Sequence, residues 1–187
     1  MRCRAGHWYR KAVPGLTGIA RARVERRLEE IPCDVLMCAP LPTGWLRLVN
    51  LNSGQCLGIE GGSKQPGVAV VQWPYETWTM DHRWRLEPCG EGWYALVNRN
   101  SGQALANTQG SKEPATVLVQ WPLEENNPEH HWRIVPRGDR FYSVLNRNCK
   151  LSLAVPKESK QTGAKCVQSK PDQAVLESQW RIEPLSE

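Results

Sequence analysis

The chain has 187 residues with 24 Lys/Arg against 19 Asp/Glu, a net charge of +5 and a sequence pI near 8.9. Residues 1–40 carry eight of the basic residues against four acids, and 41–187 carry sixteen against fifteen. The surplus therefore belongs to the N-terminal segment, and the near-neutral remainder lacks the clustered basic face of a nucleic-acid binder. No stretch is long and apolar enough to span a membrane.

In chain order, the start MRCRAGHWYRKAVPGLTGIARARV lacks the apolar run of a signal peptide. Residues 17–31 read as a short helix, with Ala20, Val24, Leu28 and Ile31 on one stripe and Pro32 ending it. Three readings of residues 1–40 stand open, a basic arm that packs loosely or frays, a translation start at Met37, and a specific docking or targeting role. Residues 41–187 are expected to form the folded domain.

Residues 44–187 are one 48-residue unit written three times, as 44–91, 92–139 and 140–187. The first two units align without a gap and share 24 of 48 positions, including Trp45/Trp93, Trp73/Trp121, His82/His130 and Trp84/Trp132. The third has drifted but keeps Asn146, Asn148, Leu153, Val167, Gln168, Trp180, Arg181 and Pro184 in register. Such self-similarity fixes the architecture before local propensity does.

Within the first unit WLRLVN alternates and breaks at Asn52-Ser53-Gly54. QCLGIE then breaks at Gly61-Gly62, GVAVVQW breaks at Pro74, and HRWRLEP closes the unit. Four short strands per unit make twelve, which excludes a helical solenoid. A propeller also uses four strands per blade but closes with about four to eight blades. Three copies therefore need a closed arrangement with three-fold pseudo-symmetry.

The cysteines Cys3, Cys33, Cys38, Cys56, Cys89, Cys149 and Cys166 do not recur with the 48-residue period. A disulfide framework carried by each repeat would recur, so free thiols are expected, consistent with a reducing compartment or an unstapled secreted fold. Cys33 and Cys38 do not form a paired zinc spacing. His130 and His131 are adjacent, and neighbours on a strand point to opposite faces, so no metal is expected from them. No Ser/His/Asp or Cys/His constellation clusters and no phosphate loop is present, so neither an enzyme nor a cofactor site is expected. Glu124-Glu125 reads as solvated loop charge.

The segments LRLVNLNSGQCLGIEGGSKQPGVAVVQW…DHRWRLEP (46–88) and YALVNRNSGQALANTQGSKEPATVLVQW…EHHWRIVP (94–136), with the weaker copy at 142–184, resemble the ricin-type β-trefoil lectins. The resemblance covers about three quarters of the chain. It implies an all-β fold, a six-stranded barrel capped by three hairpins, with Trp84, Trp132 and Trp180 in the core. A Trp repeated in all three units suits buried packing. Leu48/Leu96/Val144, Leu57/Leu105/Leu153 and Leu86/Ile134/Ile182 are expected to complete that core.

Trp73 and Trp121 differ because the third unit has Ser169 there, after the retained Val167 and Gln168 of the same strand, and a position that tolerates Ser in one repeat is not a common core site. The resemblance implies that this Trp is the platform on which a sugar ring stacks; a Trp that covers a hairpin or the N-terminal arm is the alternative reading. Family sites also hold sugar hydroxyls with an Asp fifteen residues before the Trp, where this chain has Gly58, Ala106 and Ala154. A hydrogen bond to a charged group contributes about 1.5–3 kcal/mol, and millimolar affinity totals only about 4 kcal/mol. Losing the Asp removes a large share of a weak site.

The family's Asn-Gln pair reads Asp81-His82, Glu129-His130 and Glu177-Ser178 here. These groups donate and accept hydrogen bonds, and the carboxylates are expected to replace the missing Asp in part, from the other side of the groove. The expectation is a non-catalytic carbohydrate-binding module with weak sites at Trp73/Asp81/His82 and Trp121/Glu129/His130 and a degenerate third repeat. Two weak sites suit a polyvalent glycan or polysaccharide. The alternative is a trefoil scaffold that has lost sugar binding and serves protein interaction.

Overall fold

The computed structural model describes residues 41–138, 140–171 and 175–186. The helix expected over 17–31, the alternative start at Met37 and the thiols Cys3, Cys33 and Cys38 lie outside the described residues. The strands all belong to one unit, Pro42–Glu187.

Four strands arise from each repeat: β1 Leu46–Asn50, β2 Cys56–Ile59, β3 Val70–Trp73 and β4 Trp84–Pro88, then β5 Tyr94–Asn98, β6 Ala104–Asn107, β7 Leu118–Trp121 and β8 Trp132–Gly138, then β9 Phe141–Asn146, β10 Ser152–Ala154, β11 Val167–Ser169 and β12 Trp180–Pro184. Each begins and ends at the breaks read from the turns, slightly inside the alternating runs. All pairs are antiparallel. β1–β4, β4–β5, β5–β8, β8–β9, β9–β12 and β12–β1 close a ring of six strands. The first strand thus meets the last, with Leu46 opposite Pro184 and Asn50 opposite Trp180. Closure removes the free edges an open sheet would expose.

The hairpins β2–β3, β6–β7 and β10–β11 cap one end. Bridges Ala69–Val119, Val71–Lys165 and Val117–Val167 tie each hairpin to its neighbours. The structure is therefore an all-β trefoil of three four-stranded repeats.

Trp84, Trp132 and Trp180 are fully buried. Each donates its indole N–H to the carbonyl of Leu57, Leu105 or Leu153, at 2.9, 2.9 and 3.0 Å. A buried indole N–H needs such a partner, and this bond pins each barrel strand to the hairpin of its own repeat. Leu48, Leu96, Val144, Leu57, Leu105 and Leu153 are buried as expected. Ile134 and Ile182 are buried as well, whereas Leu86 is half-buried.

Other bonds join one repeat to another. Gln72 Nε2 donates to the carbonyls of Ser159 and Gln161, Gln120 Nε2 to those of Ser63 and Gln65, and Gln168 Nε2 to those of Ser111 and Glu113. Each repeat therefore grips the loop of another, and the three grips close in a cycle. Asn50, Asn98 and Asn146 add a second cycle by donating Nδ2 to the carbonyls of Glu177, Asp81 and Glu129. The four described cysteines, Cys56, Cys89, Cys149 and Cys166, are free thiols.

Candidate functional site

At the end of β3 the chain leaves the sheet with Trp73, and alternation turns its side chain outward while Gln72 is buried. The indole is 40% exposed, and its counterpart Trp121, at the end of β7, is 43% exposed. Beside Trp73 lies a groove of about 280 Å³ lined by Ile59, Gly61, Gly62, Trp73, Glu76, Thr79, Asp81 and His82. The three residues expected to cooperate in the first repeat are thus brought together. The sequence reading missed Glu76 and Thr79, from the loop after β3. Glu76 carried a signal, since Glu124 repeats it, whereas Thr79 is matched by Asn127 and carried none.

The histidine holds that loop. The backbone N–H of Glu76 donates to His82 Nδ1 at 3.3 Å, and Thr79 Oγ1 lies 3.0 Å from the same nitrogen. With Nδ1 accepting, Nε2 carries the proton and lies 3.5 Å from Asp81 Oδ2. Burial pushes the His82 pKa down and disfavours the imidazolium, against the upward pull of the nearby Asp81 and Glu76 carboxylates.

The missing family Asp has a structural counterpart. A Cβ on Gly58 would meet His82 Cδ2 at 2.6 Å and lie 3.5 Å from Asp81 Oδ2. The His82 ring and the Asp81 carboxylate therefore occupy the space beside position 58 from the turn that precedes β4.

The second repeat repeats this plan with less open geometry. Glu129 is half-buried, and its carboxylate packs so closely on Gly110 that a Cβ there would collide with Oε1. His130 is buried, and its Nδ1 accepts the Glu124 N–H at 3.0 Å, the same brace as His82 and Glu76. Burial lowers its pKa as well. Both histidines thus brace the loop behind the acids rather than standing on the open surface.

In the third repeat Ser169 replaces the indole, and Glu177 Oε2 accepts the backbone N–H of Glu158 at 2.6 Å. The acid is occupied by its own repeat's turn. Among the described residues, no group of three or more His, Cys, Asp or Glu could hold a metal ion, and no helix is long and apolar enough to cross a membrane.

The model of the ricin-type beta-trefoil lectin domain-like family matches residues 36–121 and 80–169. The chain belongs to that family. Among solved structures, the designed three-fold symmetric protein ThreeFoil is 30% identical with a TM-score of 0.72, covering 75% of this chain and 99% of that one. The exo-beta-1,3-galactanase 1,3Gal43A from Clostridium thermocellum is also 30% identical with a TM-score of 0.72, but the match covers 78% of this chain and only 31% of the enzyme. The ricin B-like lectin of Macrolepiota procera is 15% identical with a TM-score of 0.65, over 78% of this chain and 99% of that lectin, and carries the likeness of fold alone. No curated protein matches the chain. Within this ricin-type lectin fold, Trp73 and Trp121 stand at equivalent places on the cap.

Proposed function

We propose that the chain is a non-catalytic carbohydrate-binding module of the ricin-type lectin family, with its better-formed site in the first repeat and a second around Trp121. The observation that carries this reading is the groove in which the exposed Trp73 face stands beside Asp81, Thr79 and Glu76. An indole face suits the C–H side of a sugar ring, and the flanking carboxylates and hydroxyl accept and donate to its hydroxyls. His82 forms the floor and holds the loop that carries Glu76 and Thr79. Trp121, Glu129 and His130 provide the weaker second set, and the third repeat contributes none.

Two such sites suit a polyvalent surface, where effective concentration raises avidity without new contacts. The test is retention of the full chain on insoluble polysaccharides and a glycan array beside Trp73→Ala, Trp121→Ala and the double variant. Stepwise loss in the variants at unchanged stability supports the reading. A well-folded wild type that binds no glycan would leave the protein-interaction scaffold in its place.

A further inference from the structure

The outer flank of the barrel between β5, β8 and β9 carries an arrangement that sugar stacking does not use. Trp93 is buried, and three cations lie over its ring: Arg133 at 4.3 Å from the centroid, Lys150 at 5.2 Å and Arg147 at 5.4 Å. Sharing one indole places them within about one Debye length of each other at physiological salt. Cation–π attraction holds each charge on the ring, but it does not cancel their mutual repulsion.

The first repeat shows how a balanced version looks. Trp45 carries two cations, Arg85 at 5.3 Å and Arg99 at 5.0 Å, and Arg85 is paired with the Glu87 carboxylate. In the third repeat Arg181 is likewise paired with Glu183. The second repeat has Val135 at that position, so Arg133 lacks the in-strand acid of its counterparts. The nearby carboxylate is that of Glu91, 3.8 Å from Arg147 and 83% exposed, while Arg133 Nη2 donates to the Glu91 backbone carbonyl at 3.2 Å. Arg147 Nη1 also lies 3.3 Å from His131 Nδ1, and Lys150 Nζ donates to the Arg147 carbonyl at 2.7 Å. Among the described residues, the ion pair these three cations make is that of Arg147 with the exposed Glu91.

Lys150 supplies an independent sign. It sits at φ 61°, where the other repeats have Gly54 at φ 72° and Gly102 at φ 70°. All three donate the same bond, to Asn146, Asn50 and Asn98 respectively. A lysine placed in a left-handed position that glycine fills elsewhere costs stability, and such strain concentrates at functional sites.

We infer that Arg133, Arg147 and Lys150 over Trp93 form a binding site for an anionic group of a polysaccharide, a sulfate ester or carboxylate. All three cations lie within 5.4 Å of one ring centroid, a compact cluster that fits a compact anion rather than a phosphate backbone that must be tracked along a row. The Trp93 face is already covered, so no base can stack on it as single-strand binders require. The site is separate from the Trp73 groove and extends the carbohydrate reading to charged glycans.

The test is binding of the full chain to dextran sulfate and to uncharged dextran across a salt series, beside Lys150→Gly, Arg133→Gln and the control Arg85→Gln. Lys150→Gly restores the residue of the other repeats, so its fold should be at least as stable as the parent. The expected result is salt-sensitive binding to dextran sulfate that falls about ten-fold in each of Lys150→Gly and Arg133→Gln and stays unchanged in Arg85→Gln. Dextran sulfate binding that is absent, or that persists in these variants through other cations, overturns the inference. Single-stranded DNA that binds as tightly as dextran sulfate, with the same loss in the variants, overturns its assignment to polysaccharide. Loss of neutral-glycan binding in Trp73→Ala, with dextran sulfate binding intact, would separate the two sites.

Discussion

The edge of the Trp73 indole rests on Gly163 of the third repeat, where a Cβ would stand 3.3 Å from Trp73 Cζ3. Trp121 meets Gly67 of the first repeat in the same way, at 3.4 Å. Gly163 and Gly67 donate their N–H groups to the carbonyls of Gln72 and Gln120, and Ala115 donates equivalently to Gln168. In that third instance the indole is Ser169 and the glycine is an alanine that keeps φ 65°. Where the ring is gone, the neighbour carries a side chain. Trp73 and Trp121 are therefore each seated by a different repeat from their own.

Gly163→Ala places a methyl against the Trp73 ring at a backbone φ of +80°. It should destabilise the fold by about 1 kcal/mol or more and weaken glycan retention at the first-repeat site while leaving Trp121 unaffected. Denaturant midpoints and retention assays in a Trp121→Ala background measure both, and unchanged retention would show that the seat does not matter.

Restoring the family acid with Gly58→Asp should fail on its own. The new Cβ collides with the buried His82 ring, and overpacking of this kind costs about 1–3 kcal/mol. Adding His82→Ala opens the space, so the double variant should recover stability relative to Gly58→Asp alone. A stable single variant with stronger binding would contradict this packing.

Gln72→Ala removes the donors to Ser159 and Gln161 in a buried setting. The carbonyl of Gln161 keeps the Ala164 N–H, whereas that of half-buried Ser159 loses its side-chain donor; a loss of about 1–3 kcal/mol is expected by chemical denaturation. The same change at Gln120 and at Gln168 should cost a similar amount, because the three grips form one cycle.

Acid should loosen the loops behind both sites. Burial holds the His82 and His130 pKa values below the ordinary 6.5, so the folded state keeps them neutral where the unfolded chain binds protons. The stability this provides is complete above about pH 6.5 and is lost as pH falls from there through the lowered folded values. Protonation of Nδ1 also removes the acceptor for the Glu76 and Glu124 N–H groups. Unfolding midpoints from pH 8 to pH 5 should fall, and the slope should flatten in the His82→Gln/His130→Gln variant.

The sequence by itself determined a closed three-fold array of twelve strands, because a 48-residue period with four turn-bounded strands admits few arrangements, and the resemblance of its repeats to the ricin-type lectins made that array a trefoil with Trp84, Trp132 and Trp180 in its core. It also separated Trp73 and Trp121 from that core, through the single replacement by Ser169. The tertiary structure alone decided what stands beside them. Gly163 lies against Trp73, and Asp81 and His82 fill the space at Gly58, because barrel closure and hairpin packing bring together residues far apart in the chain. A repeat pattern reports what each unit shares, whereas these contacts run between strands and between units, so neither the buried bracing role of the histidines nor the glycine seats could be read from spacing.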